Sequence, residues 1–194
     1  MELERSTALI QCVTELSSHE DVDQAINNLL KIVTEYFQGD RTYIFEMDYE
    51  EKLVHNTYEY AAAGVTKEIE NLRNVPIQII QTWIDMFHER GMFYISDLDR
   101  EREKEDARAY EVLKAQKINS LIAVPFKKNG VVTGFFGVDN PREHYRDFEL
   151  LSSIQFFIMN RLETRSRQEQ LQYLSYRDML TNLYNRNCYI RFME

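Results

Sequence analysis

Four histidines, two cysteines and one pair of opposite charges set among aromatics are the parts of this sequence best able to do chemistry. His19, His55, His88 and His144 each lack a second His, Cys or carboxylate at a ligand spacing, so no metal site is readable. A single histidine can act as an axial haem ligand. His88, near the end of a helical stretch over 77–90, is the best placed for that, although a surface or helix-terminal histidine needs no such role. Cys12 and Cys188 are far apart in sequence and form no disulfide or redox pattern. The opposite charges are Arg41 and Glu59, in two neighbouring segments that both read as strands. If Tyr49-Glu50-Glu51 is the hairpin loop and Asp48 faces Lys52, Tyr43 falls opposite Thr57 and Arg41 opposite Glu59, a cross-strand ion pair. A one-residue slip would reverse every facing side chain.

The elements that must position these residues follow from periodicity. Leu3, Leu9, Ile10, Val13 and Leu16 give a helical stripe over 3–16. Ser18 with Asp21 three residues on resembles an N-cap with an acidic first turn, and Val22, Ile26, Leu29, Leu30, Val33 and Phe37 then predict a helix over 21–37. Gly39-Asp40 ends it. Strands follow over 41–47 and 52–61, a short helix over 67–74, and an amphipathic helix over 77–90 opened by Pro76 and closed near Gly91. A short strand covers 92–95. The run 99–106 is wholly charged, which suits a solvated loop or a mobile lid, and a helix follows over 105–116. Strands over 118–127 and 131–139 flank Asn129-Gly130, a hairpin signal. From Asp147 the pattern stays helical to 176, about 45 Å at 1.5 Å per residue, and 164–170 holds no apolar residue. Two hairpins in one antiparallel sheet with helices on its faces is an α+β reading.

Length and composition bound the rest. The 194 residues suit one domain with a short extension. The chain is 44% hydrophobic and 12% aromatic, which excludes a disordered chain. A formal charge of −9 argues against general attraction to nucleic acid or an anionic membrane. No apolar run approaches a membrane span and no secretory signal opens the chain, so a cytoplasmic location is expected.

Two stretches go beyond pattern. Arg41-Thr42-Tyr43-Ile44-Phe45-Glu46, Asn56-Thr57-Tyr58-Glu59-Tyr60, Gly64-Val65, Asn74-Val75-Pro76, Trp83, Ser120-Leu121-Ile122-Ala123-Val124-Pro125 and Gly134-Phe135-Phe136-Gly137-Val138-Asp139 resemble, in order and spacing, a GAF domain of the kind found upstream of bacterial signalling outputs. Asp178-Met179-Leu180-Thr181-Asn182-Leu183-Tyr184-Asn185-Arg186 resembles the opening of a GGDEF domain, with Asn182 where that family usually has Gly. The implied organisation is a GAF sensory domain over 1–163, a helical linker over 164–177 and a GGDEF stub over 178–194.

The resemblance implies a GAF-like (PAS/profilin-like) antiparallel sheet with helices on both faces. The helices over 3–16, 21–37 and 147–163 would lie on one face. Helix 77–90 would lie on the other, over a pocket in which Arg41, Tyr43, Glu59 and Trp83 are the ligand-binding candidates; ordinary core packing is the competing reading of the same residues. Asp178, Thr181, Asn185 and Arg186 would form a structural turn. The implied function is sensory control of a C-terminal diguanylate cyclase, making cyclic di-GMP, through a homodimer formed by helices 3–16, 21–37 and 147–176. A ligand-free dimerisation module and a small enzyme on the GAF fold are the alternatives. This chain itself is expected to catalyse nothing, with Mg and GTP confined to the part of the cyclase it lacks. A GAF methionine sulfoxide reductase needs a cysteine pair in the pocket, and no cysteine lies between residues 13 and 187. The same absence sets aside a covalently attached bilin, the isolated histidines set aside haem, and no cofactor is expected. The cyclic-nucleotide signature of the family is also missing, since Asn140 is followed by Pro141 rather than Lys.

Overall fold

The computed structural model describes residues 2–102 and 107–176. The turn residues Asp178, Thr181, Asn185 and Arg186, and with them the GGDEF-like stub, lie outside the described residues, as does the second half of the charged run 99–106. The chain divides into two compact units, residues 1–158 and residues 159–194.

The first unit opens with α1 (Glu2–Ser18) and α2 (Val22–Phe37). The cap between them is not the predicted one. Asp21 accepts hydrogen bonds from the backbone N–H groups of Asp23 and Gln24 at 2.9 and 3.1 Å, whereas Ser18 turns its hydroxyl back onto the Thr14 carbonyl at the end of α1. Asp can satisfy two orphan amides at the helix start, so it takes the cap position in place of a serine three residues earlier.

Strands β1 (Arg41–Asp48), β2 (Leu53–Ala61), β3 (Val75–Pro76), β4 (Phe93–Ile95), β5 (Leu121–Lys128) and β6 (Val131–Asp139) form one sheet in the order β3-β2-β1-β6-β5-β4. Every pairing is antiparallel. Asn129 and Gly130 turn β5 into β6 with φ of 51° and 82°, the positive pair that a two-residue hairpin of this hand requires. Pro125 is tolerated inside β5 because β4 pairs only with Leu121–Ala123, leaving β5 an edge strand from there on.

Helix 77–90 begins as a short 3-10 turn, Ile77–Ile80, and continues as α3 (Gln81–Arg90), closed by Gly91 at φ 71°. The predicted helix over 67–74 is a series of turns instead, because the Leu72 carbonyl accepts from the Asn56 amide of β2 and draws the segment onto the sheet edge. A fourth helix, α4 (Ala107–Ala115), precedes β5.

Side-chain alternation sorts the sheet into two buried faces. Tyr43 and Phe45 of β1, Leu121 and Ala123 of β5 and Phe135 of β6 share one cluster with Trp83, Ile84 and Phe87 of α3. Its aromatic centre is tight: Phe45 stacks on Phe135 at 4.8 Å and Trp83 on Phe93 at 4.4 Å, with Trp83 edge-on to Phe135 at 5.7 Å. The intervening residues Ile44, Val124, Phe136 and Val138 are buried too, and α2 packs against β1, β2 and β6. There the Thr34 and Thr42 hydroxyls meet at 2.6 Å.

The last helix, α5 (Phe148–Tyr176), runs 29 residues, close to the predicted 147–176. Asp147 caps it through the Leu150 amide at 3.2 Å and accepts from the Tyr36 hydroxyl at 2.6 Å. Leu150, Leu151, Ile154 and Ile158 are buried, and 166–174 are exposed. Among the described residues no helix is long and apolar enough to cross a membrane.

Gly134 marks where the central strands approach most closely. A Cβ there would stand 2.3 Å from the Phe45 carbonyl oxygen. Gly134→Ala is therefore expected to destabilise the chain by about 1–3 kcal/mol, the usual cost of overpacking. Urea unfolding checks this, and an unchanged midpoint would contradict the close approach.

Candidate functional site

The face beneath α3 and α4 holds a cavity of about 60 Å³. Its wall is apolar and aromatic, with Phe45, Trp83, Leu113 and Phe135, and its floor is polar, with Tyr43, Asn56, Glu59, Gln116 and Asp139. Three strands supply Tyr43, Asn56, Glu59 and Asp139 on one face of the sheet, and Gln116 joins them from the residue after α4. Tyr43 of β1 faces Glu59 of β2 on one side and Gly137 of β6 on the other, and Asp139 lies two residues beyond Gly137. Gly137 is a steric requirement: a Cβ there would stand 2.8 Å from the Tyr43 ring and 2.9 Å from the Ile122 carbonyl oxygen.

Arg41 organises the floor from behind and is not part of the cavity lining. It faces Asp139 across β1 and β6, and its Nε donates to Asp139 Oδ2 at 3.0 Å. Its other nitrogens donate to the carbonyls of Thr66 at 3.3 Å and Gln116 at 3.1 Å, and Glu68 lies 3.8 Å away. Glu59 is buried; it accepts from the Glu68 amide at 2.8 Å and the Asn56 side-chain amide at 2.9 Å. Two buried acceptors remain without a hydrogen bond of normal geometry, Asp139 Oδ1 and Asn56 Oδ1, although the Tyr43 phenol lies near enough to Asp139 to influence it.

Burial dominates the electrostatics. It pushes the Asp139 carboxyl up to about 7, against the opposing pull of the Arg41 charge, the nearby Tyr43 phenol and the Arg41 hydrogen bond. Burial likewise raises Glu59, offset by the Glu68 amide, Arg41 and Asn56, and holds Tyr43 well above the usual phenol range. The floor is thus rich in acceptors and in carboxylates that are costly to ionise.

Residues 21–162 match the family described as GAF domain. The chain belongs to the GAF family. Similar solved structures share the fold. The phycoerythrobilin-bound GAF domain of a cyanobacterial phytochrome matches at TM-score 0.68 and 13% identity, covering 87% of this chain and 100% of that one. The far-red absorbing dark state of JSC1_58120g3 with bound biliverdin matches at 0.66 and 16%, covering 81% and 98%. Free methionine-R-sulfoxide reductase from Neisseria meningitidis, in complex with its substrate, matches at 0.62 and 15%, covering 85% and 91%. No curated protein matches the chain.

These GAF structures correct the expectation that no cofactor belongs here, with haem and bilin set aside. Structures of this fold hold biliverdin and phycoerythrobilin. As closed here, the cavity of about 60 Å³ is smaller than the ~300–1,000 Å³ typical of ligand pockets. Trp83, Phe87 and Phe135 are packed together in the buried cluster under α3. His88 is exposed on α3 and does not line the cavity. Among the described residues no cluster suited to a metal ion occurs.

Of the four pocket candidates, the structure brings Tyr43, Glu59 and Trp83 together on the cavity lining and puts Arg41 behind the floor. The expected Arg41–Glu59 cross-strand pair is not formed: Arg41 faces Ala61 and pairs with Asp139 and Glu68. Two shifts account for it. Asp48 faces Leu53 rather than Lys52, and a bulge between Ile44 and Phe45 advances β2 by one more residue. Asn56, Gln116 and Asp139 were not singled out as site residues. The alternation Phe135, Gly137, Asp139 on β6 was the available signal for Asp139.

A buried acid whose folded pKa is raised binds its proton more tightly in the native than in the unfolded state. The stabilisation it gives is complete below its unfolded value of 3.8 and is lost as pH rises towards about 7. The charged and titratable groups facing Asp139 are Arg41, Tyr43 and Glu59. Asp139→Asn should therefore flatten the fall of Tm between pH 4 and 7 relative to wild type, even where its absolute stability is lower. Parallel curves from pH-dependent calorimetry would rule the raised carboxyl out.

Proposed function

We propose that this chain is a sensory and regulatory domain whose buried cavity takes a small ligand, with occupancy altering an output module beyond α5. The observation that carries this is a polar floor with two unsatisfied buried acceptors beneath an aromatic wall, an arrangement that burial alone would disfavour. The sequence of the output module's start, with Asp178, Thr181, Asn185 and Arg186, supports a GGDEF-type diguanylate cyclase making cyclic di-GMP. In this reading the present chain has no catalytic role.

Regulation would proceed by population shift in a homodimer built on α1, α2 and α5, the ligand favouring one packing of the helices. Exposed Leu3 and Ile10 on α1 and Phe156, Leu171 and Leu174 on α5 support self-association. The solved structures with bilins favour a second reading, a tetrapyrrole pocket that opens by moving α3 away from the sheet.

A thermal-shift panel of metabolites, nucleotides and biliverdin tests these readings. At least one small compound should raise Tm, with about 2.7 kcal/mol of stabilisation at a hundredfold excess over Kd. A visible absorbance band on mixing with biliverdin would favour the second reading. No shift from any compound would leave the purely structural dimerisation module, and light scattering should then still report a dimer.

A further inference from the structure

The charge inventory of the cavity floor narrows what it can hold. Asp139, Glu59 and Glu68 gather around one guanidinium, Arg41. That guanidinium stands off the lining and already donates to Asp139, Thr66 and Gln116. An anion entering the cavity would meet carboxylates rather than a free cation. Two buried atoms of the lining make no hydrogen bond of normal geometry, Asp139 Oδ1, with the Tyr43 phenol nearby, and Asn56 Oδ1, and both are acceptors. A ligand completing this site must bring hydrogen-bond donors, and one bringing positive charge as well would also offset the excess of carboxylates. The wall supplies the other half. Trp83, Phe135 and Tyr43 present aromatic rings around the same space, a setting that favours a cation and its short apolar stem. Size sets the limit, since about 60 Å³ at ~10–15 Å³ per water-sized occupant admits roughly four to six heavy atoms.

We propose that the ligand class of this cavity is a small primary ammonium compound, its head held between Asp139, Glu59 and Asn56 and its stem against Trp83 and Phe135. This deepens the sensory reading above and rests on it. The three N–H donors of an ammonium match the acceptors on the floor, and its charge favours the ionised form of Asp139 against the burial that opposes it.

Trp83 is the only tryptophan of the chain and lines the cavity, so its emission reports occupancy directly. The experiment titrates the full chain at pH 8 with n-propylamine hydrochloride, n-propanol, sodium propionate and, for ionic strength, potassium chloride, following Trp83 fluorescence and Tm. Propylammonium alone is expected to give a saturable emission change and a rise in Tm. Glu59→Gln should weaken its apparent affinity at least tenfold. Asp139→Asn should do the same, and Glu59→Gln stands as the decisive variant if loss of the Arg41 partner unfolds the Asp139 variant. Equal or stronger binding of propanol or propionate would overturn the ammonium assignment while leaving a ligand-binding cavity. So would a propylammonium response unchanged in Glu59→Gln, or matched by potassium chloride. A chain that responds to none of the four probes but does respond in the wider metabolite panel also overturns the assignment. Silence in both panels removes the ligand-binding reading itself.

Discussion

The Arg41–Asp139 pair is the constraint around which the rest of this domain is arranged. The two residues face each other on the central strands, and both are almost wholly buried. Two charges withdrawn from water are stable only where geometry is good and the remaining polar groups are answered. Arg41 meets that condition by reaching three parts of the chain at once: β6 through Asp139, the segment after β2 through Thr66, and the C-terminal end of α4 through Gln116. The last contact also sets a cation at the carbonyl end of a helix, where the backbone dipoles favour it. Asp139 meets the condition only by half, and its second oxygen is the gap in the floor.

The neighbourhood is built to keep that gap in place. Asn140, at φ 48°, accepts from the Asn119 and Ser120 amides and donates to Asp40 and the Lys117 carbonyl. It thereby ties the end of β6 to the approaches of β1 and β5 immediately beside Asp139. The absence of a side chain at Gly137 leaves room for the Tyr43 ring. Above the floor, Trp83 and Phe135 form part of a continuous aromatic cluster, so the wall and the hydrophobic core are the same object.

Much of this was legible from residue order, and the failures have specific physical causes. Helix α2, the hairpin at Asn129-Gly130 and the long α5 follow from periodicity and turn chemistry, and the GAF resemblance places α3 over a pocket. Tyr43, Glu59 and Trp83 lie on the cavity lining. Arg41 was paired with the wrong acid because a strand register is the sum of loop length and bulges, and neither the longer hairpin nor the bulge at Ile44/Phe45 leaves a mark in the sequence. Asp139 comes from a strand 98 residues distant in sequence, beyond the reach of local pattern. The 67–74 segment has helical composition, yet sheet-edge hydrogen bonding overrides it. Structures of this fold hold bilins, so the expectation of no cofactor does not follow from the fold.

Strand β1 is a shared partition. Arg41 and Tyr43 work on the cavity side, while Thr42 between them projects to the opposite face, where its hydroxyl meets that of Thr34 on α2. A partition one residue thick cannot be displaced on one side alone. Any tilt of β1 that accommodates an occupant near Tyr43 must stretch or release a hydroxyl contact on the helical side, so the domain needs no long relay of side chains to carry a mechanical message through its sheet.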